Sequence, residues 1–316
     1  MNFSGLIRDF GPLTVTGLTQ GAIIALFALG YTLVYGVLRL INFAHSEVFL
    51  MGTYACLTFW GLFGLDQNSA APGFGGMLLF LVLGLVAAVV ASGATALVVE
   101  LVAYRPLRRR NAPPLAFLIT AIGASLAISE ATGVITHRNQ RGVPPIIEAK
   151  SVISFGNTII TNLQLLIIVL ALVMMFVLDR FINGSRLGRG IRAVAQNPDS
   201  AALMGVNKSR VISLVFLLGG LMAGIAAVFY DLKIGVTKYD AGFLLGIDAF
   251  TAAVLGGIGN LRGALLGGLL LGVLQNYAAG LFGSQWLHAA AFVLLVLILL
   301  FRPTGLLGES LGRARA

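Results

Sequence analysis

His45, Glu47 and Asp248 are the side chains best placed to do chemistry: an imidazole two positions from a carboxylate, and a second carboxylate further on, all within apolar runs. Ionisable groups in such surroundings are costly and mark ion or substrate paths, proton relays or paired structural charges. Arg39 and Asn42 lead into the first pair. The spacing lets Glu47 pair with Arg39 or face a gate, and lets Asn42 cap the helix that follows. The bland alternative is a satisfied cluster at the membrane interface. Asp248 can bond a neighbouring helix, cap a broken one or line a path. Thr16, Gln20, Tyr31 and Tyr35 add a polar stripe at roughly helical spacing. It suits either passage of a zwitterion with an apolar side chain or hydrogen bonds between helices.

Other chemistry lacks its parts. There is no phosphate-binding Gly-x4-Gly-Lys-Ser/Thr loop, and no Gly-Lys pair at all. His-Glu-x-x-His, Cys-x-x-Cys and Gly-x-Ser-x-Gly are missing too, and His45, His137 and His288 are scattered. No catalytic residues, metal ligands or cofactor are therefore expected. If ATP drives this protein, another subunit must hydrolyse it. Cys56 is the single cysteine, so no intrachain disulfide can form.

The positioning elements are apolar helices. Hydrophobic residues make up 58% of the 316 and charged residues 10%, with a mean hydropathy of +0.95. Lipid, not a segregated core, solvates such a chain. About twenty apolar residues cross the roughly 30 Å of hydrocarbon. Candidate spans fall near 12–38, 42–64, 75–102, 112–136, 162–182, 211–230, 242–258, 263–282 and 286–301. The expectation is an all-α polytopic transmembrane bundle of eight to ten spans, with nine fitting best and 242–258, short and holding Asp248, the weakest. The net charge of +9 reads as topology, not as nucleic-acid binding. With the Arg105–Arg110 loop cytoplasmic, Arg39, the 180–210 loop, Arg262 and a tail with Arg302, Arg313 and Arg315 share its side. Arg8, Arg138, Arg141, Lys150, Lys233 and Lys238 lie opposite. That places the N-terminus outside and the C-terminus inside. Met1 to Phe10 lacks the order of a cleaved signal peptide. The chain reads as a single membrane domain, 1–316, with a cytoplasmic loop at about 184–210 and an external loop at about 137–161 that suits a short surface helix or hairpin.

Within the cytoplasmic loop, Asn197 can cap a helix, Pro198 suits its first position and Asp199 complements its dipole. Gly205 can end it in the left-handed conformation. Ala201, Ala202, Leu203 and Met204 give it a small apolar surface. A helix of about two turns is marginal alone in water, so it needs something to dock on. With Leu187 to Ala195 it makes two short helices joined by a turn. The competing reading is an ordinary basic loop.

Ala201-Ala-Leu-Met-Gly-Val-Asn-Lys-Ser-Arg210 resembles the coupling loop of ABC importer permeases, although the Glu-Ala-Ala-x3-Gly spacing of that superfamily is not met. Three further blocks sharpen the likeness: Gly30-Tyr-Thr-Leu-Val-Tyr-Gly-Val-Leu-Arg-Leu-Ile-Asn-Phe-Ala-His-Ser-Glu-Val-Phe-Leu-Met-Gly52, Arg192-Ala-Val-Ala-Gln-Asn-Pro-Asp199, and Ala253-Val-Leu-Gly-Gly-Ile-Gly-Asn-Leu-Arg-Gly-Ala-Leu-Leu-Gly-Gly268. Together they resemble the LivH-type permeases of branched-chain amino acid importers, in order from about residue 15 to 305. Ser46 stands where that pattern has glycine. The resemblance implies an ABC importer permease fold and a bacterial plasma-membrane location. It also implies partners: a second homologous permease, two ABC ATPase subunits and an extracytoplasmic substrate-binding protein. Asn197 to Gly205 would meet the ATPase, and Arg138 and Arg141 could meet acidic residues of the binding protein. The cargo would be leucine, isoleucine or valine. Urea, short amides and other neutral amino acids are the alternatives within the class. An ion-coupled secondary transporter, using Glu47 and Asp248 as ion sites, is the rival of another class. A channel or structural protein would give downhill flux or none.

Gly17/Gly21, Gly220/Gly224, Gly259/Gly263/Gly267 and Gly268/Gly272 repeat at intervals of four. Such stripes let helix backbones approach closely, within the bundle or at a subunit interface.

Overall fold

The computed structural model describes residues 8–308. Arg313, Arg315 and all but the last residues of the Met1–Phe10 segment lie outside the described residues.

The helices are α1 (Phe10–Leu38), α2 (His45–Leu62), α3 (Phe74–Val99), α4 (Arg105–Arg109), α5 (Pro114–Ile135), α6 (Asn162–Gly184), α7 (Arg186–Gln196), α8 (Pro198–Leu203), α9 (Lys208–Ile234), α10 (Ala241–Gly256), α11 (Leu261–Phe282) and α12 (Leu287–Phe301). A π turn, Glu100–Tyr104, joins α3 to α4 without a break. Four short strands complete the described residues: β1 (Arg141–Gly142), β2 (Ser151–Phe155), β3 (Thr158–Thr161) and β4 (Val236–Thr237). The 137–161 loop contains a hairpin, β2 antiparallel to β3, while β1 pairs with β4.

Seven helical segments are long and apolar enough to cross a membrane, with α3 continued through α4 and α12 extended by the 3-10 turn Ser284–Trp286 before it. The two expected spans outside that set fail for different reasons. α10 has 16 residues, about 24 Å at 1.5 Å each. α2 opens with His45, Ser46 and Glu47, all buried, and starts three residues later than expected because Asn42 to Ala44 turn before it.

Local chemistry sets the helix ends. Thr161 and Gln164 form a reciprocal capping box at α6. Asn207 and Asn260 cap α9 and α11 through backbone N–H groups. α9 stops at Gly235, whose φ of 77° suits glycine.

α1 lies at the centre and is buried on every side from Thr19 to Val34, as expected of a helix apolar all round. Glycine sets its contact with α11. A Cβ on Gly21 would stand 2.6 Å from the Gly268 carbonyl oxygen, and one on Gly268 would stand 2.6 Å from Ala25 Cα. Gly272 faces the backbone of Gly17 and Gly21. Gly220 and Gly224 do the same for α9 against Ser92, Gly93, Ala88 and Val89 of α3. α3, α5 and α12 form the rim, with Val86, Val90, Leu126 and Leu300 exposed, as lipid solvation permits.

The connections segregate to two ends. At one, Val143 donates its N–H to the Gly235 carbonyl (2.9 Å), Arg141 is the strand partner of Thr237, and Asn157 reaches Asp9. At the other, Arg39 reaches the Ala195 carbonyl, Arg262 pairs with Asp179 at 3.0 Å, and the N–H groups of Leu306 and Leu307 bond to Leu255 and Gly256. This is the grouping that the basic residues predict. α10 runs between the ends: Tyr239 just before it accepts from Ser129, and its last turn meets Leu306 and Leu307.

Candidate coupling surface and the polar groups of the bundle

The 184–210 segment folds as two helices and a turn. Ser185 caps α7, its hydroxyl accepting from Gly188 N–H at 2.8 Å. Asn197 closes α7 and opens α8: Oδ1 accepts from the N–H groups of Asp199 and Ser200, both at 3.0 Å. Pro198 takes the first helical position, where no N–H is needed. Gly205 ends the turn at φ 85°. Lys208 Nζ lies 2.7 Å from Asp199 Oδ1 and holds that carboxyl below its ordinary range. Ala201 is buried against the hub of the loop, as are Ile191 and Val194. Leu203 and Met204 point away and are 88% and 84% exposed. Neither side chain contributes to the protomer's own core.

Glu47 is buried, and its Oε1 accepts from Ser125 Oγ at 3.0 Å and Ser46 Oγ at 3.2 Å. Of the two alternatives for Glu47, the pair with Arg39 does not form. Arg39 adopts φ 54°, which turns the chain, and its guanidinium donates to the Ala195 carbonyl at 3.4 Å. Asn42 does not cap α2 either: Ala44 occupies the cap without a side-chain bond, and Asn42 Oδ1 accepts from Tyr104 OH at 3.0 Å. His45 lies inside the bundle, stacked on Phe27 (5.1 Å between centroids) and edge-on to Tyr31 (4.8 Å).

The polar stripe of α1 takes different neighbours along its length. Gln20 accepts from Lys233 Nζ of α9 at 2.6 Å. Tyr31 turns to Phe250 of α10, and Tyr35 joins it in a small crevice with Asn42 and Ile258. Thr16 is half-buried. Asp248 bonds the next helix but one, its Oδ2 lying 2.9 Å from His288 Nδ1 of α12. On the opposite end Arg138 pairs with Glu130 at 2.6 Å and lies over the Tyr239 ring, while Arg141 sits in β1.

Three polar contacts were not foreseen. Cys56 Sγ donates to Asp231 at 3.2 Å, across 175 positions, and Lys233 meets Gln20 across 213, so neither carried a local signal. Glu100, fully buried, binds Arg105 at 3.1 Å and Arg108 at 2.8 Å. Its signal was a carboxylate inside the span ahead of an arginine run. Among the described residues no group of three His, Cys, Asp or Glu side chains could hold a metal.

The fold is a polytopic helical bundle whose loops gather at two ends, with an exposed, capped helix pair at the end that holds Arg39 and Arg262. Comparison with known proteins gives its family. The model of the branched-chain amino acid transport system permease component matches residues 13–301, and the chain belongs to that family. It is 42% identical over 301 residues, 93% of this chain and 94% of the relative, to the high-affinity branched-chain amino acid transport system permease protein BraD of Pseudomonas aeruginosa. It is 37% identical over 296 residues, with the same coverage, to the LivH permease protein of Escherichia coli K12. A probable branched-chain amino acid transport permease protein LivH of Methanocaldococcus jannaschii is 27% identical over 70% of this chain and 67% of its own length. Permeases of this kind are transport subunits rather than enzymes, and they work as components of larger systems. The chain is accordingly a multi-pass membrane permease.

Proposed function

We propose that this chain carries leucine, isoleucine and valine across a bacterial plasma membrane as the permease subunit of an ATP-driven importer. The 42% identity to a branched-chain amino acid permease along 93% of the chain carries the reading. The described residues act as one permease unit. A second homologous permease completes the membrane part, two ATPase subunits bind on the arginine-rich side, and an extracytoplasmic binding protein delivers the amino acid to the other. Asn197, Pro198, Asp199, Ala201, Ala202, Leu203, Met204 and Gly205 form the ATPase contact, with Leu203 and Met204 inserted in its cleft. Closure of the ATPase pair on ATP then moves α7 and α8, and helices rock about a central path. Arg138 and Arg141 lie on the end that would receive the binding protein.

The test is uptake into proteoliposomes holding the permease pair, its ATPases and its binding protein. ATP-dependent leucine uptake that vanishes without binding protein, with urea left outside, is the expected result. Urea carried as fast as leucine would overturn the substrate assignment.

A further inference from the structure

The π turn after α3 ties together segments that the chain keeps far apart. Glu100 is fully buried and accepts from Arg105, from Arg108 and, at 3.1 Å, from the hydroxyl of Ser213 on α9. Arg105 also donates to Ser213 Oγ at 2.9 Å. Four residues on, Tyr104 is fully buried, its ring edge-on to Phe216 of α9 and its hydroxyl on Asn42. α9 begins at Lys208, which holds Asp199 of α8. Asn42 belongs to the Arg39–Ala44 turn that leads into α2, and Arg39 of that turn holds Ala195 of α7.

The turn into α2 is therefore held from two directions, by α7 through Arg39 and by α9 through the π turn. In an α-helix a residue at i+5 points away from residue i; the wider π turn brings Arg105 back onto Glu100. An inserted residue of this kind is costly and recurs at functional sites. A buried carboxylate holding two guanidinium groups is weak evidence for stability alone, because desolvation offsets the attraction. It does fix geometry, through several charge-assisted hydrogen bonds converging on one side chain.

We infer that Glu100 is a positioning residue for coupling: it clamps the π turn to α9, so that a displacement of α8 passes through α9 and Tyr104 to the Arg39–Ala44 turn and the start of α2. This rests on the importer reading given above. In the protomer α2 starts deep in the bundle, with Ser46 against Gly242 and Gly246 of α10, so moving its first turn moves α2 relative to α10. Glu100 keeps that motion from dissipating as a slide of α3 along α9.

The readout is the number of ATP molecules hydrolysed per leucine moved by the complete importer in proteoliposomes. Transport and hydrolysis are both normalised to assembled complex. A merely structural role lowers the yield of complex and leaves this ratio alone. Glu100→Gln keeps the shape and removes the charge; uptake should fall at least about tenfold while hydrolysis falls less than about twofold, since even one of the charge-assisted hydrogen bonds it weakens is worth about that much. Tyr104→Phe removes one hydroxyl and should raise the ratio about threefold, and it serves if the glutamine variant does not assemble. An unchanged ratio in Tyr104→Phe, or equal falls of uptake and hydrolysis in an assembled Glu100→Gln complex, overturns the inference. The wild-type arm separates this from the importer reading: if unaltered complex shows no ATP-dependent uptake, it is the importer reading that has failed.

Discussion

Leu203→Glu combined with Met204→Glu is expected to lower ATP-driven uptake at least about a hundredfold while the permease still folds and enters the membrane. Both side chains are almost fully exposed, so the substitution meets no neighbour within the protomer. Surface changes of this kind shift stability by about ±0.5 kcal/mol at most. In the importer both would sit inside an ATPase cleft, where two unpaired carboxylates carry the full cost of desolvation. Truncating one side of a buried charged contact costs about 2–5 kcal/mol, and burying a new unpaired charge belongs to the same range. Two such terms exceed the roughly 2.7 kcal/mol that a hundredfold loss requires. The measurement is leucine uptake beside co-purification of the ATPase with tagged permease. Both should be lost, while yield and thermal stability of the permease alone stay as in the wild type. Ala201→Glu is the less clean change, because Ala201 is buried within the loop and its replacement disturbs α7 and α8 themselves. Gly205→Pro acts similarly, since proline cannot adopt a φ of 85°.

Gly272→Leu is expected to cost the permease about 3 kcal/mol or more of stability, the upper part of the range for overpacking. The atoms that a Cβ would meet are backbone: Gly21 N and Cα and the Gly17 carbonyl oxygen. No flexible side chain can swing aside, so α1 and α11 must separate. These two helices form the closest pair in the bundle and α1 is its centre, so their separation loosens the contacts of α1 with α9 and α10 as well. Gly123→Ala is the matched control. It lies on the exposed face of α5 with nothing within 4 Å, so the change should be neutral or stabilise the helix by up to about 1 kcal/mol. Melting of the detergent-solubilised permease decides between them: a large drop for Gly272→Leu and none for Gly123→Ala. Equal melting temperatures would mean that α1 and α11 do not pack through their glycines.

The sequence made the helix pair of the 184–210 loop legible because caps are local. Asn197, Pro198 and Gly205 need only their own neighbours to act, and they start and stop α8 as their chemistry requires. The glycine stripes were legible as stripes, but which stripe meets which depends on the order of helices around the bundle. Spacing alone does not carry that order. The Arg39–Asn42–His45–Glu47 cluster was legible as a polar cluster, but its internal pairing was not. Spacing allowed Glu47 to pair with Arg39 or to face a gate; a left-handed residue at Arg39 sends the arginine to α7 and leaves Glu47 to two serines. Asn42, cast as a cap, instead accepts from Tyr104, which only the π turn brings into reach. The Glu100 clamp escaped because its i+5 spacing is a non-contact on an α-helix. The alternation of loops between two ends was legible from Arg and Lys alone, since charge placement is set by insertion rather than by packing.

The central claim is that this permease moves amino acids only when an ATPase works upon it. Its most direct test is leucine accumulation in proteoliposomes containing binding protein, permease pair and either intact or catalytically dead ATPase, with a full proton and sodium gradient imposed in both. The account predicts accumulation above the external concentration with the intact ATPase and none with the dead one. Accumulation driven by the gradient in the presence of the dead ATPase would contradict it and make Glu47 and Asp248 ion sites of a secondary transporter.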